Sequence, residues 1–218
     1  MMSSGGCYYC AIGLTARCTA GTLFGWVEGG EGLNGGQAEY VRVPMADATL
    51  MRLPDDIGLD EALLLGDVLA TGYHCARMAE VGPEGTYVVL GCGPVGLMAV
   101  LAARSLGAER LLAVDAVPER LALAAQFGAA PLQLDRADVV AEVRQATGGR
   151  GADAVLEAAG TEAAGRLAYD LVRPGGTIAV VGMHHADRFS FSPGEAYDKN
   201  LTYRVGRCPA RTDTNRSS

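Results

Sequence analysis

VVLGCGPVGL, residues 88–97, passes from a β-branched run through Gly91, Gly93 and Gly96 into an apolar, Ala-rich segment. The glycines stand in G-x-G-x-x-G spacing, which is weak evidence alone; a strand before it and a helix after it are the context a dinucleotide loop requires. Gly91 allows a tight turn, and Gly93 lets backbone approach a pyrophosphate. Gly96 allows the helix to pack closely on the strand, with Pro94 and Val95 at the helix start, where free N–H groups attract phosphate charge. A glycine turn without a ligand is the plainer reading. A methyltransferase-like nucleoside binder is the competing ligand class.

The segments on the C-terminal side repeat one grammar. Short β-branched runs at Thr86–Leu90, Arg110–Asp115, Ala130–Leu134, Ala152–Ala158 and Gly176–Gly182 alternate with helical stretches at 95–106, 118–127, 137–146 and 162–171. Near-continuous apolar strands separated by helices predict a parallel sheet covered on both faces, a doubly wound α/β domain of Rossmann type. LTYRVG, residues 201–206, is a candidate sixth strand, and 209–218 reads as a disordered polar tail. Asp115 ends the second strand, nineteen residues after Gly96. A carboxylate there can accept hydrogen bonds from the adenosine ribose and repel a 2′-phosphate, which predicts NAD over NADP. A strand-end or helix-capping Asp is the alternative, and Arg120 could neighbour the same ribose. The strand ends at 156–160 and 180–185 face the nicotinamide side by position, so Val181 and Met183 join the cofactor set. His184 and His185 read equally as loop histidines.

Composition limits the partners. In 218 residues the net charge is -7, with no cluster of Lys or Arg, which argues against nucleic acid or an anionic membrane surface. No apolar run reaches the roughly 18 residues that a bilayer span needs, and no signal-peptide layout opens the chain. The expectation is a cytoplasmic protein with reduced thiols and a small-molecule partner. There, clustered cysteines more often hold metal than form disulfides.

Up to about Pro54 the sequence is rich in glycine and turns, and GGQAEYVRVP, residues 35–44, suits a strand. DEALLLGDVLATGYHCARMAE, residues 60–80, reads as helix with Asp60 at the N-cap; Gly66 and Thr71-Gly72 interrupt it, so two helices are as consistent as one. Asp67 alone reads as a helix N-cap. Cys7, Cys10 and Cys18 crowd the start, an odd count for either disulfides or a four-ligand zinc site. Cys75 and Cys92 read as small buried hydrophobes.

With these features in one chain, the sequence resembles the zinc-dependent, medium-chain alcohol dehydrogenase family, from about Ser4 to Arg211. In that family a lobe carries four cysteines spaced Cys-x2-Cys-x2-Cys-x7-Cys around a structural zinc. SGGCYYCAIGLTARC matches the last three at Cys7, Cys10 and Cys18, with Ser4 in the first place. A Ser hydroxyl is a poor zinc ligand, so the site is expected to be three thiolates with water, or empty. GGQAEYVRVP and LPDDIGLDEALLLGDVLATGYHCA resemble the branch that includes formaldehyde dehydrogenases. That resemblance implies Asp67 as a ligand of the catalytic zinc and Thr71 beside the nicotinamide. It also implies reversible oxidation of an alcohol or aldehyde hydrate, zinc acting as Lewis acid and hydride passing to NAD.

The family's other zinc ligands and its His-Glu pair come from a segment before the cysteine lobe. The expectation is therefore a fragment: residues 1–80 a partial β-rich, GroES-like catalytic domain with the zinc lobe, and 81–208 the NAD-binding domain. Its structural zinc site would be incomplete, its catalytic site mostly missing, and its turnover poor. A catalytically silent nucleotide-binding or oligomer-forming module, such as a homo-oligomer, is the alternative.

Overall fold

The structure, a computed structural model, describes residues 2–136 and 138–210. The residues 211–218 of the expected tail, and Ala137 of the expected helix 137–146, lie outside the described set. The described chain forms two compact units, one of residues up to Gly66 with Cys208–Ala210, the other Asp67–Arg207.

The first unit is built from short pieces. α1 (Tyr8–Ala11) and a 3-10 turn at Thr15–Arg17 carry the cysteines, β1 (Trp26–Glu28) and β2 (Glu31–Leu33) form a hairpin, and α2 (Ala46–Thr49) and α3 (Leu59–Leu65) follow. The hairpin turns on Gly29 and Gly30, both with positive φ (61° and 85°). Two such residues make the tight turn whose twist matches paired strands. The strand expected at 35–44 does not form. Its β propensity has no neighbouring strand among the described residues to complete a ladder, and Tyr40 is 91% exposed. α3 starts after Gly58 rather than at Asp60; Asp60 and Glu61 lie in its first turn, where carboxylates favour the positive end of the helix dipole.

In the second unit α4 (Val68–Met78) precedes β3 (Thr86–Leu90), α5 (Pro94–Ser105), β4 (Arg110–Asp115), α6 (Pro118–Gln126) and β5 (Ala130–Gln133). α7 (Val139–Ala146), β6 (Ala152–Glu157), α8 (Glu162–Leu171), β7 (Val172–Val180), α9 (Pro193–Asp198) and β8 (Thr202–Val205) complete it. The strands make one six-stranded sheet in the order β5-β4-β3-β6-β7-β8, every neighbouring pair parallel. This is the doubly wound arrangement that the alternation of runs predicts. Successive residues serve opposite faces. Tyr87, Val89, Leu111, Ala113, Ala154, Leu156 and Ala179 pack with α4, α5 and α6, while Val88, Leu90, Leu112, Val114, Val155, Ile178 and Val180 pack with α7 and α8. Burial on both faces is why the strands read as continuous apolar runs. β7 begins four residues earlier than expected; its register against β6 skips from Val172 to Thr177, across Pro174 and Gly175.

The helical stretch from residue 59 divides at Gly66 and Asp67, and Thr71-Gly72 does not interrupt it. Gly72 is instead a contact. A Cβ there would lie 2.5 Å from the amide nitrogen of Ala99 and 2.6 Å from the Met98 carbonyl carbon, so α4 and α5 touch backbone to backbone. α9 is started by Ser192 and Glu195, whose side chains each bond the other's backbone N–H, with Pro193 at the first helical position. Arg166 on α8 donates to Glu195 at 2.6 Å and to Asp170 at 2.8 Å.

Two outcomes follow from this packing. Gly72→Ala improves helix propensity by about 1 kcal/mol, yet its Cβ strikes backbone that cannot rotate away. We expect a net loss of about 1–2 kcal/mol from overpacking, read as a lower denaturation midpoint. The Arg166 guanidinium, followed by the Ser192 contacts, holds the Glu195 carboxyl down at about 2 against an ordinary 4.5. Its stabilising effect is then complete above pH 4.5 and lost as pH falls toward 2. A carboxyl-carbon NMR titration should show that low midpoint, and Arg166→Met should raise it.

Candidate dinucleotide cleft and thiol cluster

Three loops meet at the C-terminal edge of the sheet, where the strand order reverses between β3 and β6. Such a crevice is where open α/β sheets bind ligands. Gly91 leaves β3 with φ 86°, and a Cβ on it would stand 2.9 Å from the Ala159 Cβ in the loop after β6. A Cβ on Gly96 would fall 1.7 Å from the Gly91 carbonyl oxygen, so α5 lies directly on the turn. Gly93 is the N-cap of α5 and gives its first-turn amides no side-chain partner. A Cβ on Gly93 would meet no atom within 4 Å, which leaves an open backbone cradle at a positive helix end. Pro94 takes the first helical position, and Val95 follows it half-buried.

Asp115 holds this loop in place. It is 8% exposed, and one carboxylate oxygen accepts the Cys92 N–H at 2.7 Å while the other accepts the Val117 N–H at 2.8 Å. Arg120, half exposed, reaches within 3.7 Å of the same carboxylate. Burial, then the Asp115 charge, pushes the Cys92 thiol up to about 12, so it stays protonated and serves as packing. Burial likewise raises Cys75, whose thiol donates to the Ala179 carbonyl.

Glu157 is the residue that sequence reasoning misses. It ends β6 fully buried, and its Oε1 accepts the N–H groups of Ala159 (2.9 Å) and Gly160 (2.7 Å). Its Oε2 lies 2.9 Å from His184 Nε2 in the loop after β7. Gly160 and Gly182 permit the approach: a Cβ on Gly182 would lie 2.4 Å from the Gly160 nitrogen and 2.6 Å from the Glu157 carboxylate. The signal was present in ADAVLEA, because a carboxylate closing a central apolar strand must find donors. His184 is thus held by Glu157, whereas His185 is exposed. Val181 is half-buried and Met183 71% exposed on the same loop.

Asp67 occupies the N-cap position of α4 but makes no capping bond; its carboxylate accepts the Thr71 hydroxyl at 3.3 Å. Among the described residues the one group of three metal-ligand side chains is Cys7, Cys10 and Cys18. Their ligand atoms lie within 4.8 Å of one another, with the Cys7 and Cys10 sulfurs 3.5 Å apart. A tetrahedral zinc with Zn–S near 2.3 Å has sulfurs about 3.8 Å apart. The set therefore fits zinc. The Cys10 N–H, then that of Thr19, lowers the Cys7 thiol to about 6, whereas burial raises Cys10. None of the described cysteines is in a disulfide. No described helix is long and apolar enough to cross a membrane.

The zinc-binding dehydrogenase family matches residues 94–215, more than half of the chain. A zinc-type alcohol dehydrogenase B of Aspergillus flavus is 44% identical over 218 residues, covering 96% of this chain and 50% of that protein. A medium chain reductase/dehydrogenase, ucsI, of Acremonium sp is 41% identical over 205 residues, covering 90% of this chain and 68% of that protein. Among solved structures, alcohol dehydrogenase TADH from Thermus sp. ATN1 superposes with a TM-score of 0.93 at 36% identity, covering 99% of this chain and 63% of that one. The chain belongs to the zinc-binding dehydrogenase family, whose nucleotide domain it carries, and it spans about half the length of the first of these relatives.

Removing the Glu157 carboxylate tests the cleft's support. Glu157→Ala strands the amides of Ala159 and Gly160 and the His184 ring, and a loss of about 3–5 kcal/mol is expected in chemical denaturation. Glu157→Gln keeps one acceptor oxygen and should lose about 1–3 kcal/mol. Equal stability of all three proteins would show that the bonds carry no net energy.

Proposed function

We propose that this chain binds NAD in the β3–β6 crevice and belongs, by ancestry, to an NAD-linked, zinc-type alcohol or aldehyde dehydrogenase of the formaldehyde dehydrogenase-like branch. The observation that carries it is the Gly91–Gly96 turn at the sheet's switch point, with Asp115 at the end of the adjacent strand. In this reading the amides of α5 take the pyrophosphate at Gly93, Pro94, Val95 and Gly96. Asp115, its position set by Cys92 and Val117, faces the ribose beside Arg120. Val181, Met183 and Thr71 border the nicotinamide. Small alcohols or aldehydes are the substrate class, and the bound nicotinamide supplies the hydride acceptor. Cys7, Cys10 and Cys18 hold a structural zinc, and Asp67 offers one carboxylate toward a catalytic zinc, the Lewis acid of the reaction. The setting that suits cysteines outside any disulfide is the cytoplasm.

A second reading, a binding module without turnover, is favoured by the isolation of Asp67 from any group of three metal-ligand side chains among the described residues. A catalytic zinc takes three protein ligands. Fluorescence titration with NADH and NADPH tests the cofactor assignment. The expected result is at least about tenfold tighter binding of NADH, the scale of one unfavourable charge contact. Equal affinity would remove Asp115 from ribose recognition. Alcohol-dependent NADH absorbance separates the readings, since binding without turnover supports the module and turnover supports the enzyme.

A further inference from the structure

Ser4 stands against the three thiols at ligand-like distances. Its N–H donates to the Cys18 sulfur at 3.1 Å. Its Oγ lies 3.3 Å from the Cys18 sulfur, whose thiol donates to it, and 3.9 Å from the Cys10 sulfur. Gly6 N–H also reaches the Oγ, at 3.4 Å. A tetrahedral ion with one oxygen and three sulfur ligands has O–S edges of about 3.6 Å and S–S edges of about 3.8 Å, from bond lengths near 2.1 and 2.3 Å. The edges Ser4–Cys18, Ser4–Cys10 and Cys7–Cys10, at 3.3, 3.9 and 3.5 Å, lie within about 0.3 Å of those values.

We propose that the Ser4 hydroxyl is the fourth ligand of this cluster, giving a three-thiolate, one-oxygen metal site rather than three thiolates with water. The inference rests on the cysteine lobe holding metal. The hydroxyl is fixed by the same segment that brings the Ser4 N–H to Cys18, so little ordering is required when an ion arrives. A neutral oxygen donates less charge than a thiolate, so the ion is held less tightly than by four sulfurs.

The experiment titrates the reduced, metal-free full chain with Co(II) as a spectroscopic probe, then measures zinc affinity by chelator competition. The native chain, Ser4→Ala, Ser4→Thr and Ser4→Cys are compared, with far-UV circular dichroism to confirm that each is folded. The native chain should show a tetrahedral thiolate spectrum. Ser4→Cys should move the bands to the red, add charge-transfer intensity from its fourth thiolate and bind zinc more tightly. Ser4→Ala should change the spectrum and weaken zinc by about tenfold or more, with Ser4→Thr restoring both. Identical spectra and affinities for native and Ser4→Ala would overturn the proposal and assign the fourth position to water. Binding by Ser4→Cys but not by the native chain would overturn it while leaving the lobe a latent metal site. Binding by neither would overturn the metal assignment of the lobe itself.

Discussion

The Gly91 carbonyl oxygen is the point on which the second unit turns. Helix α5 must begin after only three connecting residues from the end of β3 and still pack on the sheet, which brings position 96 onto that oxygen with no room for a side chain. Gly91 meets the same demand from the other side, since its positive φ and its closeness to Ala159 both exclude a Cβ. With this turn set, α5 starts beside the strand ends, and the open side of Gly93 leaves room for an anion to approach backbone there.

Two buried carboxylates support the turn from opposite sides. Asp115 on β4 takes the amide of Cys92 in the glycine loop; Glu157 on β6 takes the amides of the neighbouring loop and binds His184 in the next. Each carboxylate would be costly to bury alone, and each is satisfied by donors in the loops beside it. The loops and the strand ends are therefore coupled, and the cleft edge is preorganised by charge-assisted bonds as well as by packing. Asp115 combines a structural duty toward Cys92 and Val117 with the proposed one toward a ribose.

The first unit follows a different logic. Up to Gly66 the described residues that are buried are Met2, Ser3, Cys18 and Leu33, too few to make a core. Short helices and a hairpin gain little from propensity alone. In such small, loop-rich pieces a metal tied to several ligands can replace a hydrophobic core as the source of order. The crowding of Cys7, Cys10, Cys18 and Ser4 is where the proposed metal site would supply that order.

The α/β alternation, the parallel sheet and the glycine loop were legible because each rests on local pattern: apolar runs, helical stretches and glycines at fixed offsets. The cysteine spacing was legible for the same reason. Long-range approach was not. Gly72 looks like a helix breaker until α5 is seen against it, GGQAEYVRVP looks like a strand until no partner lies beside it among the described residues, and β7 begins ahead of Gly176 through a shift of register. Glu157 and His184 are 27 residues apart, and only the order of β6 and β7 in the sheet makes them neighbours. Sequence by itself determined which segments become strands, helices and tight turns in the nucleotide domain, because those choices follow from residue type and period. Tertiary structure decided which polar groups meet, which glycines are contacts, and where Ser4 stands among the thiols, because those depend on atoms distant along the chain being brought within hydrogen-bonding reach.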